Sequence, residues 1–233
     1  MNLPETLRGD LKRIVNQQPL FSLMNYYKGV PISYAASLRG FDLSSATVGV
    51  HPYQAVCMQL EGHTRVQSKL LSLAVQAQVT LNLKNNTARL SEFKRVLYVT
   101  ERRQFVRIEP DQRIEVEVST QNWMVRGRLE DISAVNIGIF LPGEEIFFEP
   151  EVVFKEYNNL RARLTLPGID QPLEINGVVA RSLPDKNHDY RVGARLLPNT
   201  AVQQAIRTFI LKQQNLVEHE LQHLYEQMQS GKN

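Results

Sequence analysis

Cysteine is nearly missing from this chain: Cys57 stands alone among 233 residues. A single thiol excludes an intramolecular disulfide framework and leaves no thiolate cluster for zinc. Within the run Ala55-Val56-Cys57-Met58 it is expected to be a small buried apolar residue. Charge of one sign is also scarce. The formal net charge is +3, too small for a general nucleic-acid-binding surface, which needs a strong basic excess or a basic stripe. Long apolar runs are lacking too. Pro4, Glu5 and Asp10 stand where a signal peptide would carry its hydrophobic region, and no stretch approaches the about 20 residues of a membrane span. The expectation is a cytoplasmic protein without membrane insertion, any membrane role passing through a partner. No Ser-His-Asp or Cys-His arrangement and no phosphate-cradling glycine loop is visible, so the reading is of a non-enzyme without a cofactor.

What is present is an ordinary globular composition, long enough for one large domain or two small ones. The basic excess is local: Arg95, Arg102, Arg103 and Arg107 gather at one junction, which suits a compact polyanion better than a long one. A strand's length further on, Glu130-Asp131-Ile132-Ser133 puts a carboxylate and a hydroxyl two residues apart, on one face of an extended strand just before a turn. The planar donor fork of arginine fits phosphate oxygens and the O6/N7 edge of guanine, while aspartate accepts from guanine N–H groups. A small ligand with guanine bases and phosphates would use both. Each motif also has a local reading: arginines four apart can form a solvated face, and Asp-x-Ser before a turn can simply cap nearby backbone.

The spacing Arg103-x-x-x-Arg107 followed by Asp131-x-Ser133 resembles the paired motif of the PilZ family, bacterial receptors for cyclic di-GMP. Asp189-Tyr190-Arg191-Val192-Gly193-Ala194-Arg195-Leu196 is similar to the late strand that closes the PilZ barrel. The likeness covers about residues 101 to 200, and the strand-rich region in front resembles the layout of YcgR-type proteins. By that resemblance Arg102, Arg103 and Arg107 would grip guanine edges and phosphates, and Asp131 and Ser133 would contact guanine. The family's second motif usually has glycine three residues after the serine, where this chain has Asn136, with a glycine only at Gly138. The expected reason for that glycine is positive φ, which asparagine tolerates best among the other residues. Asn136 and Gly138 therefore join the expected ligand site, with altered affinity. Resemblance to YcgR proteins further implies an output at the flagellar motor that slows swimming.

Along the chain, Leu7, Leu11, Ile14 and Val15 lie at helical spacing after Pro4, which predicts a short N-terminal helix. From Leu20 the texture becomes short apolar runs with punctuation, and residues 72–83 alternate as a half-buried strand does. Arg113–Val118 alternates strictly, and Asn158, Asn159, Pro167, Gly168, Pro172 and Gly177 punctuate further strands. After Pro198 the period turns helical, from a possible capping box at Thr200–Gln203 onward. A helix over 200–229 would be ~45 Å long. Ile210, Gln214, Val217, Leu221, Leu224 and Met228 follow a coiled-coil spacing, so the helix either pairs with its copy in a homodimer or folds back across its own chain.

His219-Glu220-Leu221-Gln222-His223 fits the zinc-peptidase pattern of His-Glu-x-x-His on a helix. A catalytic zinc needs a third protein ligand, and Glu226 is the sole carboxylate among the few residues that follow. The expected architecture is mainly β: two small antiparallel β-barrels in tandem over 1–100 and 101–199, with a ligand-binding linker at 101–107 and a C-terminal helix over 200–233. The expected function is that of a receptor in which cyclic di-GMP, bound at the domain junction, changes interdomain geometry. A cyclic di-GMP-responsive transcription regulator and a zinc hydrolase are the alternatives, although no helix-turn-helix pair or strongly basic helix is visible for the former. Whether one dinucleotide or a stacked pair binds stays open.

Overall fold

The computed structural model describes residues 9, 21–42, 44–68, 74–96, 105–120, 122–185 and 188–230. Except for Gly9, the expected N-terminal helix lies outside them, as do Arg102 and Arg103. The chain divides into two compact units: one of Met1–Tyr27, Pro31–Arg103 and Leu216–Asn233, the other of Lys28–Val30 and Gln104–Asn215.

In the first unit, β1 (Phe21–Tyr27), β2 (Val30–Phe41), β3 (Ala46–Gly49), β4 (His63–Gln67), β5 (Ala74–Asn82) and β6 (Thr87–Val96) form a closed barrel in the order β1-β2-β3-β6-β5-β4. Strand alternation sends Phe21, Leu23, Val48, Val66, Val75 and Leu90 into one core. The β5–β6 connection turns at Asn86, in the left-handed region at φ 46°, which a short polar side chain tolerates.

Helix α1 (Pro52–Glu61) interrupts the expected run of strands. The apolar run Ala55–Met58 hides it, because buried helix and buried strand look alike over a few residues. Its ends carry the signals: Pro52 in the first turn, His51 Nδ1 accepting from the Tyr53 N–H at 3.3 Å, and Gly62 at φ 71° with its N–H donating to the Met58 carbonyl. The helix packs on β1, β4 and β5. Burial of Cys57 inside it pushes the thiol up to about 12, as the apolar residue expected from the sequence.

The helix is locked to the barrel by polar groups as well. Thr64 Oγ1 donates to Asn25 Oδ1 at 2.7 Å, and Asn25 Nδ2 donates to Glu61 Oε2 at 2.9 Å and to the His63 carbonyl at 2.7 Å. The Tyr26 N–H donates to the other Glu61 oxygen at 2.9 Å. Asn25, Gln54 and Thr64 are all buried, so each bond also avoids the cost of an unpaired polar group.

In the second unit, β7 (Glu115–Ser119), β8 (Met124–Ile132), β9 (Asn136–Leu141), β10 (Asn159–Leu164), β11 (Leu173–Pro184) and β12 (Tyr190–Leu196) close in the order β10-β11-β12-β9-β8-β7. Val116, Val118, Ile137, Ile139, Leu160, Ala162, Val192 and Ala194 fill the inside, and the intervening residues form an outer wall. Gly177 falls within β11 rather than between strands. A short helix, α2 (Pro150–Val153), lies in the connection from β9 to β10.

Helix α3 (Thr200–Gln229) follows. Its cap is Asn199, whose Oδ1 accepts from the Val202 N–H at 3.2 Å, one residue ahead of the expected box. Ile206, Phe209 and Ile210 are buried in the second unit, Val217 and Leu221 in the first. In the first unit, Tyr225 donates from its hydroxyl to Asn86 Oδ1 at 2.7 Å, and Tyr27 donates to Glu220 Oε1 at 2.9 Å. The supposed coiled-coil seam is thus largely covered within one chain, and the large apolar residues left exposed on the helix are Leu211 and Leu216. No helix among the described residues is long and apolar enough to cross a membrane.

Candidate functional site

The site is assembled where the chain enters the second barrel. Ile108 is buried and forms a two-bond antiparallel bridge with Ile132, N–H to carbonyl at 3.0 and 2.9 Å. Full burial of such a side chain contributes about 1.5–3 kcal/mol, which anchors the entering strand at the end of β8. Arg107, one residue earlier, thereby comes within reach of Asp131: its Nη1 donates to both carboxylate oxygens, at 3.2 and 3.3 Å. The two side chains remain 28% and 25% exposed. Charge-assisted bonds at their best are nearer 2.7–2.9 Å, so this pair is a loose, half-solvated one that a stronger partner could replace.

Asp131 owes its position to an irregularity. The pairing of β8 with β9 slips between Leu129 and Asp131, as at a bulge, which re-aims side chains locally. Asp131 then faces Gly138 across the ladder. A Cβ at Gly138 would lie 3.0–3.1 Å from the Asp131 carboxyl group. A side chain there would make the Asp131 carboxyl group give by a few tenths of an ångström, so the glycine matters for space and not for a positive φ.

Asn136 differs from expectation. It has no positive φ, because it is the first residue of β9 and pairs with Arg195 on β12. The turn of β8 into β9 is made instead by Ser133. Its backbone N–H donates to the Asn136 carbonyl at 2.8 Å, and its Oγ accepts from the Asn136 N–H at 3.0 Å. Ser133 lies beyond the end of β8, is buried, and has its hydroxyl in local capping bonds. Asp131 and Ser133 therefore do not share a strand face. In this structure Ser133 shapes the turn, and Arg107, Asp131 and Gly138 form the accessible cluster.

Cross-strand register extends the cluster over the outer wall. Gly138 pairs with Gly193, giving the row Asp131–Gly138–Gly193 with two adjacent positions free of side chains. The neighbouring row is Arg128–Phe140–Arg191. There the Arg128 guanidinium sits 4.2 Å from the Phe140 ring centre, a cation–π distance. Arg191 donates to Asp185 at 2.8 Å and lies 3.5 Å from Glu130. Burial raises the Glu130 carboxyl above its usual range, opposed by Arg191 and Arg128. Sequence reasoning did not pick out Arg128, Glu130 or Phe140 as site residues. Their signal was alternation on β8 and β9, which reads equally as a solvated wall. Chemically, the strip offers a flat, partly bare floor with an aromatic and arginines on one side and an Arg–Asp pair at one end, a surface for a planar, anionic ligand.

The His-Glu-x-x-His stretch shows a different arrangement. His219 and His223 are exposed on α3, while Glu220 accepts from Tyr27. Among the described residues no group of three or more His, Cys, Asp or Glu could hold a metal ion.

Fold and site define a class: a small closed β-barrel with its polar site on the outer wall rather than inside. Residues 101–212 match the PilZ domain family, and the chain carries a PilZ domain over that segment. No curated protein matches the chain. Among solved structures it is similar to MrkH of K. pneumonia in complex with c-di-GMP, at 14% identity over 93% of this chain and 95% of that one, TM-score 0.47. It is similar also to YcgR of Escherichia coli in complex with c-di-GMP, at 12% identity, 94% and 93% coverage and TM-score 0.45. A third is the Bacillus subtilis inhibitor of motility MotI/DgrA, at 16% identity, 84% and 95% coverage and TM-score 0.41.

Proposed function

We propose that the protein is a cytoplasmic receptor for cyclic di-GMP without catalytic activity, and that its output is control of flagellar motility. The observation that carries the reading is the loose Arg107–Asp131 pair beside the side-chain-free row Asp131–Gly138–Gly193, within a segment that matches the PilZ domain family. In this reading the guanidinium of Arg107 leaves Asp131 for a phosphate or for the guanine O6/N7 edge, and the freed carboxylate accepts from guanine N–H groups. Arg102 and Arg103 supply further donors, Asn136 and Gly138 border the base, and Ser133 contributes by holding the turn. Residues 101–107 stand between the two barrels in sequence, so a ligand gripped by them would alter interdomain geometry. A homodimer through α3 would need a face other than that of Val217 and Leu221, which are already buried.

Isothermal titration with cyclic di-GMP, against GTP and cyclic di-AMP, tests the receptor. Saturable guanine-selective binding that is lost in Arg103→Ala and Asp131→Ala is the expected result. Normal binding by both variants would sink the site assignment. Small-angle scattering with and without ligand tests the change of geometry.

A further inference from the structure

The second barrel carries a further surface, away from the Arg107–Asp131 cluster in sequence and built by the connection from β9 to β10. Residues 143–157 read Gly-Glu-Glu-Ile-Phe-Phe-Glu-Pro-Glu-Val-Val-Phe-Lys-Glu-Tyr. Two aromatic residues hold the segment down. Phe154 is fully buried, and Phe148 lies 5.8 Å from Phe154 and 5.1 Å from Trp123, ring centre to ring centre. Their neighbours point outward: Phe147 is 82% exposed, Tyr157 79%, Val152 62% and Met124 68%, with Trp123 itself 44% exposed. Together Trp123, Val152, Val153, Tyr157, Thr120 and Asn159 line an open cavity of about 380 Å³.

Tyr157 is held there against its backbone preference. It sits at φ 71°, a conformation rare for a bulky residue. It is kept in place by its N–H donating to the Val179 carbonyl at 2.8 Å and by the Val179 N–H donating to Asn158 at 2.9 Å. Asn158 Nδ2 caps α2 through the Val152 and Val153 carbonyls, each at 3.1 Å. An exposed aromatic fixed by surrounding structure is a preorganised anchor, and aromatics and methionine are the residues enriched at the centres of protein interfaces.

Charge selects the occupant. The segment has five glutamates and one lysine. Glu151 accepts from the Tyr190 hydroxyl, whereas Glu144, Glu145, Glu149 and Glu156 are exposed. None of these four forms an ion pair within the described residues. An apolar patch on a segment this rich in exposed carboxylates repels an anionic membrane and attracts a cationic amphipathic segment. The geometry points to a docking surface for a basic amphipathic helix of a partner protein, whose apolar face covers Trp123, Phe147, Val152 and Tyr157 while its lysines or arginines meet the glutamates.

Trp123 is the chain's single tryptophan, so its fluorescence reports this patch directly. The probe is an amphipathic peptide of leucine and lysine, about 18 residues or five helical turns long, added to the full chain. The expected result is a saturable blue shift that weakens with added salt. It should be lost in Phe147→Asp and reduced about tenfold in affinity in the Glu149→Lys, Glu156→Lys double variant. All three positions are exposed, and unchanged melting curves would show that these variants fold. No shift, an equal shift with a leucine–glutamate peptide, or a larger shift with vesicles of anionic phospholipid would overturn the proposal. So would light scattering showing that peptide-free self-association already covers Trp123.

Discussion

The two barrels are built to the same strand count and differ in where they keep their polar groups. The first hides them: Asn25, Gln54 and Thr64 are buried, with Glu61 closing the network at the end of α1. The second puts them on its outer wall, where Arg107 and Asp131, Arg191 and Asp185, and Glu130 remain in contact with water. A buried network has no competitor for its bonds, so it specifies one arrangement and is costly to break. A half-solvated pair gains little from its own attraction and can exchange it for that of a ligand. The first barrel thus spends its polar residues on holding a helix, and the second keeps them available.

The largest effect that would sharpen this contrast is in the first barrel. Asn25→Ala removes the group that joins Thr64, Glu61 and the His63 carbonyl, leaving Thr64 with the Met24 carbonyl and Glu61 with the Tyr26 N–H, and should cost about 3 kcal/mol in urea unfolding. A loss below about 1 kcal/mol would mean that the network is not structural. Arg107→Ala should do the opposite: change stability by less than about 1 kcal/mol yet weaken cyclic di-GMP binding about 100-fold, the loss of one or two charge-assisted bonds. A large drop in melting temperature would remove the distinction between the barrels.

Gly138→Ala comes next. Its methyl group would press on the Asp131 carboxyl group, and titration should show affinity down about tenfold, ~1.4 kcal/mol, with the fold intact. The smallest effect concerns His51. Burial lowers its pKa from 6.5, opposed by Glu218, and the cap bond needs Nδ1 unprotonated. The unfolded imidazole therefore takes up a proton first, so this contribution is full above about pH 6.5 and is lost as the pH falls below it. His51→Asn, which keeps a capping side chain, should flatten the fall in melting temperature between about pH 7.5 and pH 5. An unchanged slope would show that His51 does not titrate with unfolding.

Much of this was legible in the sequence, for reasons that can be named. β7 announces itself because Glu115-Val116-Glu117-Val118 alternates with the strand period, and α3 because its apolar positions repeat with the helical one. Arg107 and Asp131 stand out through the spacing Arg103-x-x-x-Arg107 followed by Asp131-x-Ser133, which resembles the paired PilZ motif. What stayed hidden depends on register or on contacts between distant residues. The slip after Leu129 that turns Asp131 toward Gly138 leaves no local mark. Asn25, Glu61 and Thr64 meet only once the barrel closes. Ser133 shows the converse case: a residue type that fits a ligand is occupied by its own turn. The helix α1 was readable in principle from Pro52 and Gly62, and was masked by the uniform apolarity between them.

Residues 216–233 belong to the same unit as β1 to β6, and this has a consequence for the order in which the protein is made. A ribosome delivers the six strands of the first barrel before the second barrel, but the segment that buries Val217 and Leu221 and brings Tyr225 to Asn86 emerges after it. The first unit is thus begun before the second and completed after it, and a nascent chain cut short before residue 216 would carry a first barrel without the helical segment that packs on it.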